Sequence, residues 1–167
     1  MPLVFEALKD FAPGSVRLEI AGTGLALETW KSIAARVCPP GMVTFLGRIP
    51  RDEVSKLYER ADLFVFPSLR DSGGSGLLEA MTLGIPVVCL DHGGPAEMLQ
   101  DGAGILIPVQ NPSLTVAGLK QAITELLADA DKARLLGQKG RDRALRHFTW
   151  DGKAAMMKDI YSSLTGF

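Results

Sequence analysis

Two acidic side chains flank a glycine-rich turn in the segment Pro67–Pro86, which reads PSLRDSGGSGLLEAMTLGIP. Asp71 lies in the turn, and a helix is predicted to begin near Ser75 and to carry Glu79 one turn later. A helix start offers unpaired backbone N–H groups and about half a positive charge, which suits a phosphate or a diphosphate. Glycine lets such a ligand approach closely because it has no Cβ. The segment therefore predicts an anion site at the tip of a helix.

The two acids favour a nucleotide sugar as the ligand. Glu79 lies roughly 6 Å along the helix axis from Ser75 and leans back towards the helix start, so its carboxylate can accept hydrogen bonds from a sugar hydroxyl. Asp71 can do the same on the other side of the phosphates. A nucleoside triphosphate fits less well, because the loop has no Lys and the pattern GxxxxGK[ST] is absent. A helix-dipole role for Glu79 and a turn role for Asp71 explain the same residues, and spacing leaves both interpretations open.

Apolar runs and helical spacing alternate along the chain, which predicts a Rossmann-like α/β fold with a parallel sheet and helices on both faces. Glycines follow the predicted strands at the carboxyl edge, where open parallel sheets bind ligands. After Pro112 the pattern is helical, with breaks or weak points expected at 129–131 and 137–140 and a last helix from about Trp150. The predicted strands are Val16–Ala21, Val43–Leu46, Leu63–Phe66, Pro86–Leu90 and Ile105–Ile107.

Size and composition predict a single domain over residues 1–167. Of the 167 residues 47% are hydrophobic and 22% are charged, and the net charge of -1 argues against nucleic-acid binding. Cys38 and Cys89 lack CxxC spacing and are expected to be buried thiols in a reducing compartment. The apolar runs are far shorter than the ~18 residues of a membrane span, and no signal peptide is recognisable, so we expect a cytoplasmic protein.

The acids also carry a family resemblance. Asp71 and Glu79 are separated by seven residues and followed by AMTLGIPVV and DHGGPAEMLQDGAGILIP. This arrangement resembles the E-x7-E region of the group 1 (family 4) retaining glycosyltransferases, which use nucleotide sugars and have the GT-B fold. The similarity extends from LEIAGTG (18–24) through VTFLGRIPRDEVSKLYERADLFVFPS (43–68) to HFTWDGKAAMMKDIY (147–161). It covers nearly all of the chain and matches the C-terminal, donor-binding half of such enzymes.

The resemblance implies a role for each residue of the segment. The ligand is expected to be a donor such as a UDP- or GDP-sugar, with no metal or other cofactor. Asp71 stands where the family usually has Glu, and SGG stands where many members have glycine, an aromatic residue and glycine, so we expect a changed sugar pocket. The implied contacts are Asp71, Gly73 and Gly74 for the donor sugar, Ser75, Gly76 and Leu77 for the diphosphate, Glu79 for the ribose, and Gly47, Arg48 and Ile49 for the nucleobase.

Parts of the family's donor domain are not recognisable in this sequence. That domain normally opens with a further strand carrying an Arg, and with a Lys-Gly at the next helix, whereas MPLVFEALKDF (1–11) resembles the helix after that Lys. Without these cations we expect weak donor binding, because a helix terminus supplies only about half a charge. The missing strand would lie centrally in a sheet ordered 3-2-1-4-5-6. We therefore expect the strands at Val16 and Leu63 either to pair directly or to leave a gap that a second chain fills.

The resemblance further places the acceptor site in an N-terminal domain, so no complete catalytic site is expected in this chain. His92 and His147 show no metal-ligand spacing. A basic run over 132–146 is expected to be a solvated helix face, with at most peripheral membrane contact. Apolar residues of the last helix are expected to form a packing stripe, and any part left exposed would favour a homodimer. That stripe comprises Trp150, Met157, Ile160 and Tyr161.

Two other function classes stay open at this stage. A non-catalytic scaffold or interaction domain with the same fold would not respond to nucleotide sugars. A dinucleotide-dependent oxidoreductase is suggested by LEIAGTGLAL (18–27) after a strand. It is the weaker alternative, because Leu27 replaces the third glycine of GxGxxG and no acidic residue follows the second strand at the expected place.

Overall fold

A computed structural model describes residues 1–165 of the chain. All five predicted strands are present, with ends shifted by one or two residues. The elements in chain order are α1 (Pro2–Leu8), β1 (Leu18–Ala21), α2 (Leu27–Val37), β2 (Val43–Gly47), α3 (Arg51–Glu59), β3 (Phe64–Phe66), α4 (Ser75–Thr82), β4 (Val87–Asp91), α5 (Gly93–Met98), β5 (Ile105–Pro108), α6 (Pro112–Ala128), α7 (Ala130–His147) and α8 (Trp150–Thr165).

The strands pair in parallel, as predicted, but they form two separate sheets. One sheet contains β1 and β2, with Leu18 opposite Val43. The other has the order β3-β4-β5, with Val88 between Val65 and Ile105. The helices cover the strands on two sides, so the predicted α/β architecture is confirmed.

β4 shows the layering most clearly because both of its faces are buried. Val88 and Leu90 face an apolar cluster that includes residues of α1, α2 and α6. Val87 and Cys89 face a second cluster that includes three residues of α4 and, from α7, Ala144. Successive side chains of a strand point to opposite faces, so this alternation places one helical layer on each side. Burial also raises the pKa of the Cys89 thiol to about 12, in keeping with the predicted buried cysteine.

β1 and β3 do not pair with each other. A groove of about 790 Å³ lies between them, lined by 16–22 around β1 and by 61–67 around β3. Of the two arrangements expected from the sequence, direct pairing is therefore wrong and a gap is present. The second chain that was expected to fill it stays a prediction.

The helical region differs from the sequence prediction at 137–140. No break occurs there, because α7 runs unbroken from Ala130 to His147. A Cβ on Gly137 would lie 1.9 Å from the carbonyl oxygen of Gly84, so glycine serves close packing against the end of α4 rather than ending the helix. The predicted break at 129–131 is confirmed, since the Asp129 carboxylate accepts a hydrogen bond from the Lys132 amide and caps α7.

The last helix begins at Trp150 as predicted, but the side chains of its apolar stripe are exposed rather than buried. Trp150 is 90% exposed, and Met157, Ile160 and Tyr161 are also exposed. The basic residues of α7 are largely exposed, which agrees with the predicted solvated face. None of the described helices is long and apolar enough to cross a membrane.

Candidate functional site

The start of α4 presents unpaired backbone donors. Gly74 is the N-cap residue and no side chain caps the helix. The first bond of the helix runs from the Leu78 amide to the Gly74 carbonyl at 3.0 Å. The preceding amides, those of Ser75, Gly76 and Leu77, therefore have no acceptor within the helix. These are the three amides that the sequence resemblance assigned to a diphosphate, and they are aligned with the positive end of the helix dipole.

Asp71 shapes the turn that leads into α4. Its Oδ1 accepts a hydrogen bond from the Gly73 amide at 3.0 Å, so this carboxylate takes part in a local turn. The turn also packs tightly on the start of α5, where a Cβ on Gly94 would lie 2.2 Å from the Ser72 carbonyl oxygen. The second oxygen of Asp71 can still accept a bond from a ligand hydroxyl. The local role and the ligand role are thus compatible at this position.

Close packing favours glycine at Gly74, whereas a Cβ on the neighbouring Gly73 would meet nothing within 4 Å. A Cβ on Gly74 would approach the ring of Phe66 to 2.9 Å. A larger residue would push the α4 start away from the carboxyl end of β3. Glycine thus keeps the unpaired amides next to the sheet edge.

The residues assigned to the nucleobase, Gly47, Arg48 and Ile49, lie at the carboxyl end of β2, beside the loop that follows β1. Gly47 has a φ of 64°, and its carbonyl accepts the Gly22 amide at 2.7 Å, which ties the two loops together. Gly22, Arg48 and Ile49 line the same groove as Gly76. The groove therefore joins Arg48 and Ile49 to Gly76 in the first turn of α4, while Gly47, Ser75 and Leu77 lie outside its lining. Asp71 and Glu79 lie outside the lining of this groove.

Tyr58 connects the two halves of the site and was not recognised as a site residue from the sequence. Its hydroxyl donates to the Gly76 carbonyl at 3.1 Å. Burial, and then the neighbouring Glu79 carboxylate, raise the pKa of Tyr58 to about 12. Tyr58 is thus held as a neutral donor between α3 and the first turn of α4. The sequence does show that Tyr58 places a hydroxyl on the apolar face of a predicted helix. A tyrosine that only packs in the core gives the same pattern, so the sequence does not identify its role.

Basic side chains elsewhere in the groove are paired with Glu19. The Arg60 guanidinium donates to both carboxylate oxygens of Glu19, at 3.2 and 3.0 Å, and Arg17 lies 3.8 Å away. The hydrogen bond from Arg60 is the main cause that lowers the pKa of Glu19. Arg60 and Arg17 are therefore engaged at β1, whereas Arg48, which lines the same groove as Gly76, is exposed.

The histidines occupy helix ends. His92 is the N-cap residue of α5, without a capping side-chain bond, and His147 is the last residue of α7. Within residues 1–165 no group of three or more His, Cys, Asp or Glu side chains is arranged to hold a metal ion.

Comparison with known proteins identifies the family. Residues 2–143 match the family model described as glycosyl transferases group 1. The chain belongs to the group 1 glycosyltransferase family. The family expected from the sequence motifs is thereby confirmed.

Curated glycosyltransferases are similar over most of the chain. The D-inositol 3-phosphate glycosyltransferase of Streptomyces bingchenggensis is 33% identical over 144 residues, which are 85% of this chain and 30% of that protein. The putative glycosyltransferase EpsD of Bacillus subtilis is 32% identical over 157 residues, which are 93% of this chain and 39% of that protein. The chain thus spans roughly a third of the length of these relatives.

Solved glycosyltransferase structures share the fold. Sucrose-phosphate synthase from Thermosynechococcus elongatus superimposes with a TM-score of 0.79 at 27% identity, covering 99% of this chain and 42% of that chain. A glycosyltransferase from Rickettsia africae superimposes with a TM-score of 0.81 at 16% identity, covering 98% of this chain and 44% of that chain. Anabaena HepE, solved in complex with UDP-glucose, has a TM-score of 0.76 at 22% identity, with 99% and 44% coverage. At the identities of the last two, the likeness concerns the fold alone.

Proposed function

We propose that this group 1 glycosyltransferase chain binds the nucleotide-sugar donor for a retaining transfer to a separate acceptor. The observation that carries the proposal is the row of unpaired amides at Ser75, Gly76 and Leu77, which opens beside the groove lined by Arg48 and Ile49. The diphosphate would lie on the amides and the base between the loops after β1 and β2. Glu79 would accept hydrogen bonds from the ribose, and Asp71 with Gly73 and Gly74 would contact the transferred sugar.

The chemistry of the transfer explains why a helix start suits this role. Negative charge develops on the diphosphate as its bond to the sugar breaks, and donors oriented in advance stabilise that charge without reorganising. The amides of α4 and the helix dipole provide such donors. We propose that no metal takes part and that these groups carry the charge stabilisation within this chain.

We propose that the chain is inactive alone. Transfer also needs an acceptor held close to the anomeric carbon of the donor, and positioning two reactants lowers the activation barrier by several kcal/mol. The acceptor would be held by an N-terminal domain, which is in keeping with the 30% to 39% of length that the chain covers in two relatives. The localisation that we propose is the cytoplasm, with at most peripheral membrane contact through α7.

Thermal-shift titration with UDP-, GDP- and ADP-sugars tests the proposal. We expect a rise in Tm with one nucleotide sugar at about 10 mM, since a ligand at ~10 times a Kd near 1 mM stabilises the folded state by about 1.4 kcal/mol. Uridine and guanosine without phosphate are the matched controls and should have little effect. No response to any nucleotide sugar would contradict donor binding and favour the scaffold alternative.

A further inference from the structure

Arg143 of α7 bonds to the carboxyl end of α5. Its Nε donates to the Met98 carbonyl at 2.9 Å, and its Nη2 donates to the Glu97 carbonyl at 3.1 Å. Its Nη1 pairs with the carboxylate of Asp101, in the loop that follows α5. The last carbonyls of a helix have no partner within that helix. Arg143 therefore caps α5 from a position 45 residues away along the chain.

The shape of the guanidinium suits this cap. Arginine presents its N–H donors in a rigid planar fork, whereas lysine is a point charge on a flexible stem. Three nitrogens of Arg143 are bonded, and only 18% of its side chain is exposed. The Asp101 carboxylate is 84% exposed, and an ion pair in water contributes little. The bonds to the two backbone carbonyls are therefore the main part of the cap.

Close packing holds α7 next to the loop that follows α5. A Cβ on Gly140 would lie 3.0 Å from the Ala103 carbonyl oxygen, so the two backbones are in close contact there. Ala144 is buried in the same apolar cluster as Leu99 and Ala103. α7 has 18 residues and α5 has six. Loss of the cap should therefore move the short helix α5 rather than α7.

The start of α5 contacts the turn that carries Asp71. A Cβ on Gly93 would lie 3.1 Å from the Asp71 carbonyl oxygen, and a Cβ on Gly94 would lie 2.2 Å from the Ser72 carbonyl oxygen. Both contacts are between backbones, with no flexible side chain to absorb a displacement. Closely packed groups transmit such a displacement to their neighbours. A movement of α5 should therefore reach the turn 71–74.

We propose that Arg143 is a positioning residue for the donor site, and that it fixes the turn 71–74 through α5 without contacting the ligand. This role rests on the proposed function, which assigns the turn to the transferred sugar. α5 spans ~9 Å, so the guanidinium lies about one helix length from the turn. The start of α4 has its own contacts, with Phe66 and Tyr58. Arg143 therefore affects the sugar side of the site more than the diphosphate side.

Amide NMR spectra of the ligand-free 167-residue chain test whether Arg143 holds the turn. Arg143→Gln removes the fork, and Arg143→Lys keeps the charge without it. Arg146→Gln is the matched control, because it removes the same charge from an exposed position of α7 that lines a pocket with Asp101. Ala122→Gly is the control for stability. It weakens α6 in the apolar cluster on the opposite face of β4.

In Arg143→Gln the amide resonances of Ser72 and Gly73 should shift several times further than in either control. Arg143→Lys should cause a smaller shift, because its ammonium can still bond to one carbonyl. Shifts at the turn no larger than those of the controls would overturn the proposal, whatever the change in Tm. The guanidinium would then only stabilise the end of α5.

Titration of the same variants with UDP-glucose and UDP, and with GDP-mannose and GDP, tests the link to the sugar. Arg143→Gln should raise the Kd of the bound nucleotide sugar by about fivefold and the Kd of its nucleoside diphosphate by less than about twofold. Arg143→Lys should restore part of the difference, and Arg146→Gln should change neither Kd. Equal weakening of both ligands by Arg143→Gln, or no weakening of either, would overturn the proposal.

Failure of this proposal and failure of the proposed function give different results. If the unmodified chain binds no nucleotide sugar, donor binding is contradicted. The ligand-free spectra decide independently of any nucleotide whether Arg143 holds the turn.

Discussion

The sequence leaves two roles open for Glu79, a favourable interaction with the α4 dipole and a hydrogen bond to the ribose of a nucleotide. Glu79 is the fifth residue of α4, and its side chain is exposed. The hydroxyl of the neighbouring Tyr58 donates a hydrogen bond to the carbonyl of Gly76. A helix-dipole role would affect stability alone, whereas a ribose contact would affect affinity for a nucleotide. The two roles can therefore be separated by measuring both quantities on the same variant.

Glu79→Gln should weaken the binding of the preferred nucleoside diphosphate by about tenfold or more, since a hydrogen bond to a charged group contributes ~1.5–3 kcal/mol. Glu97→Gln, which removes the same charge from an exposed position of α5, is the matched control and should change Kd less than about twofold. Isothermal titration gives both values. Equal effects of the two substitutions would assign Glu79 to electrostatics in general rather than to the ribose.

Tyr58→Phe should lower the free energy of unfolding by about 1 kcal/mol at neutral pH, because the Gly76 carbonyl loses its donor. The pKa of Tyr58 is raised from 10.0 to about 12, so the contribution of the hydroxyl is complete below pH 10 and is lost as pH rises towards 12. Urea unfolding at several pH values measures this. The difference in the free energy of unfolding between the unmodified chain and Tyr58→Phe should shrink between pH 10 and about 12. A difference that stays constant with pH would contradict the role of the hydroxyl.

At the residue scale, the sequence predicted the anion site because glycines, acids and a helix start are contiguous along the chain. Tyr58 could not be predicted in the same way. Its partner Gly76 is far from it in sequence, and the contact exists only once α3 and α4 lie on neighbouring strands. Motif spacing therefore predicts the groups that we propose to meet a ligand, but it does not predict Tyr58, which holds the first turn of α4.

In α7 and α5, close packing outweighs the low helix propensity of glycine. The glycines at 137–140 were predicted as a weak point because glycine disfavours helix by ~1 kcal/mol relative to alanine. In α7 the close approach of Gly137 to the Gly84 carbonyl outweighs that cost. α5 was missed for a related reason, since HGGP reads as a turn, although Gly93 and Gly94 make room for the turn that carries Asp71.

Gly137→Ala should therefore destabilise the protein, in spite of the better helix propensity of alanine. A Cβ at this position would lie 1.9 Å from a backbone oxygen, so α7 must move away from the end of α4. We expect a loss of about 1–3 kcal/mol in the free energy of unfolding. Gln138→Ala, at an exposed position of the same helix, is the control and should change stability by less than ~0.5 kcal/mol. A stabilised Gly137→Ala variant would contradict the packing described for α7.

On the scale of the whole molecule, the chain is an α/β unit of the group 1 glycosyltransferase family, and its described part has two incompletely covered apolar surfaces. One is the groove between β1 and β3, and the other is the apolar face of α8. The sequence predicted the order of the strands and the fold because the alternation of elements is local. Whether β1 and β3 pair could not be decided from the sequence, because that depends on how α1, α3 and α6 hold the two sheets apart.

The exposed face of α8 should promote self-association. Met156 and Ile160 are 47% and 44% exposed and lie one turn apart on the helix. Met156→Glu with Ile160→Glu should lower the apparent mass in concentration-dependent light scattering. Ser113→Glu with Gln121→Glu adds the same charge at exposed positions of α6 and is the control. If the unmodified chain is a monomer at high concentration, this expectation is wrong.

We propose that the donor diphosphate lies on the amides at the start of α4. Amide NMR spectra recorded during titration with UDP-glucose and GDP-mannose test it residue by residue, and they detect a Kd near 1 mM, which corresponds to only about 4 kcal/mol. The largest shifts should fall on the amides of Ser75, Gly76 and Leu77, with smaller shifts at Gly47, Arg48 and Ile49. Saturable shifts elsewhere that leave the three α4 amides unchanged, or no shift with either donor at ~10 mM, would contradict it.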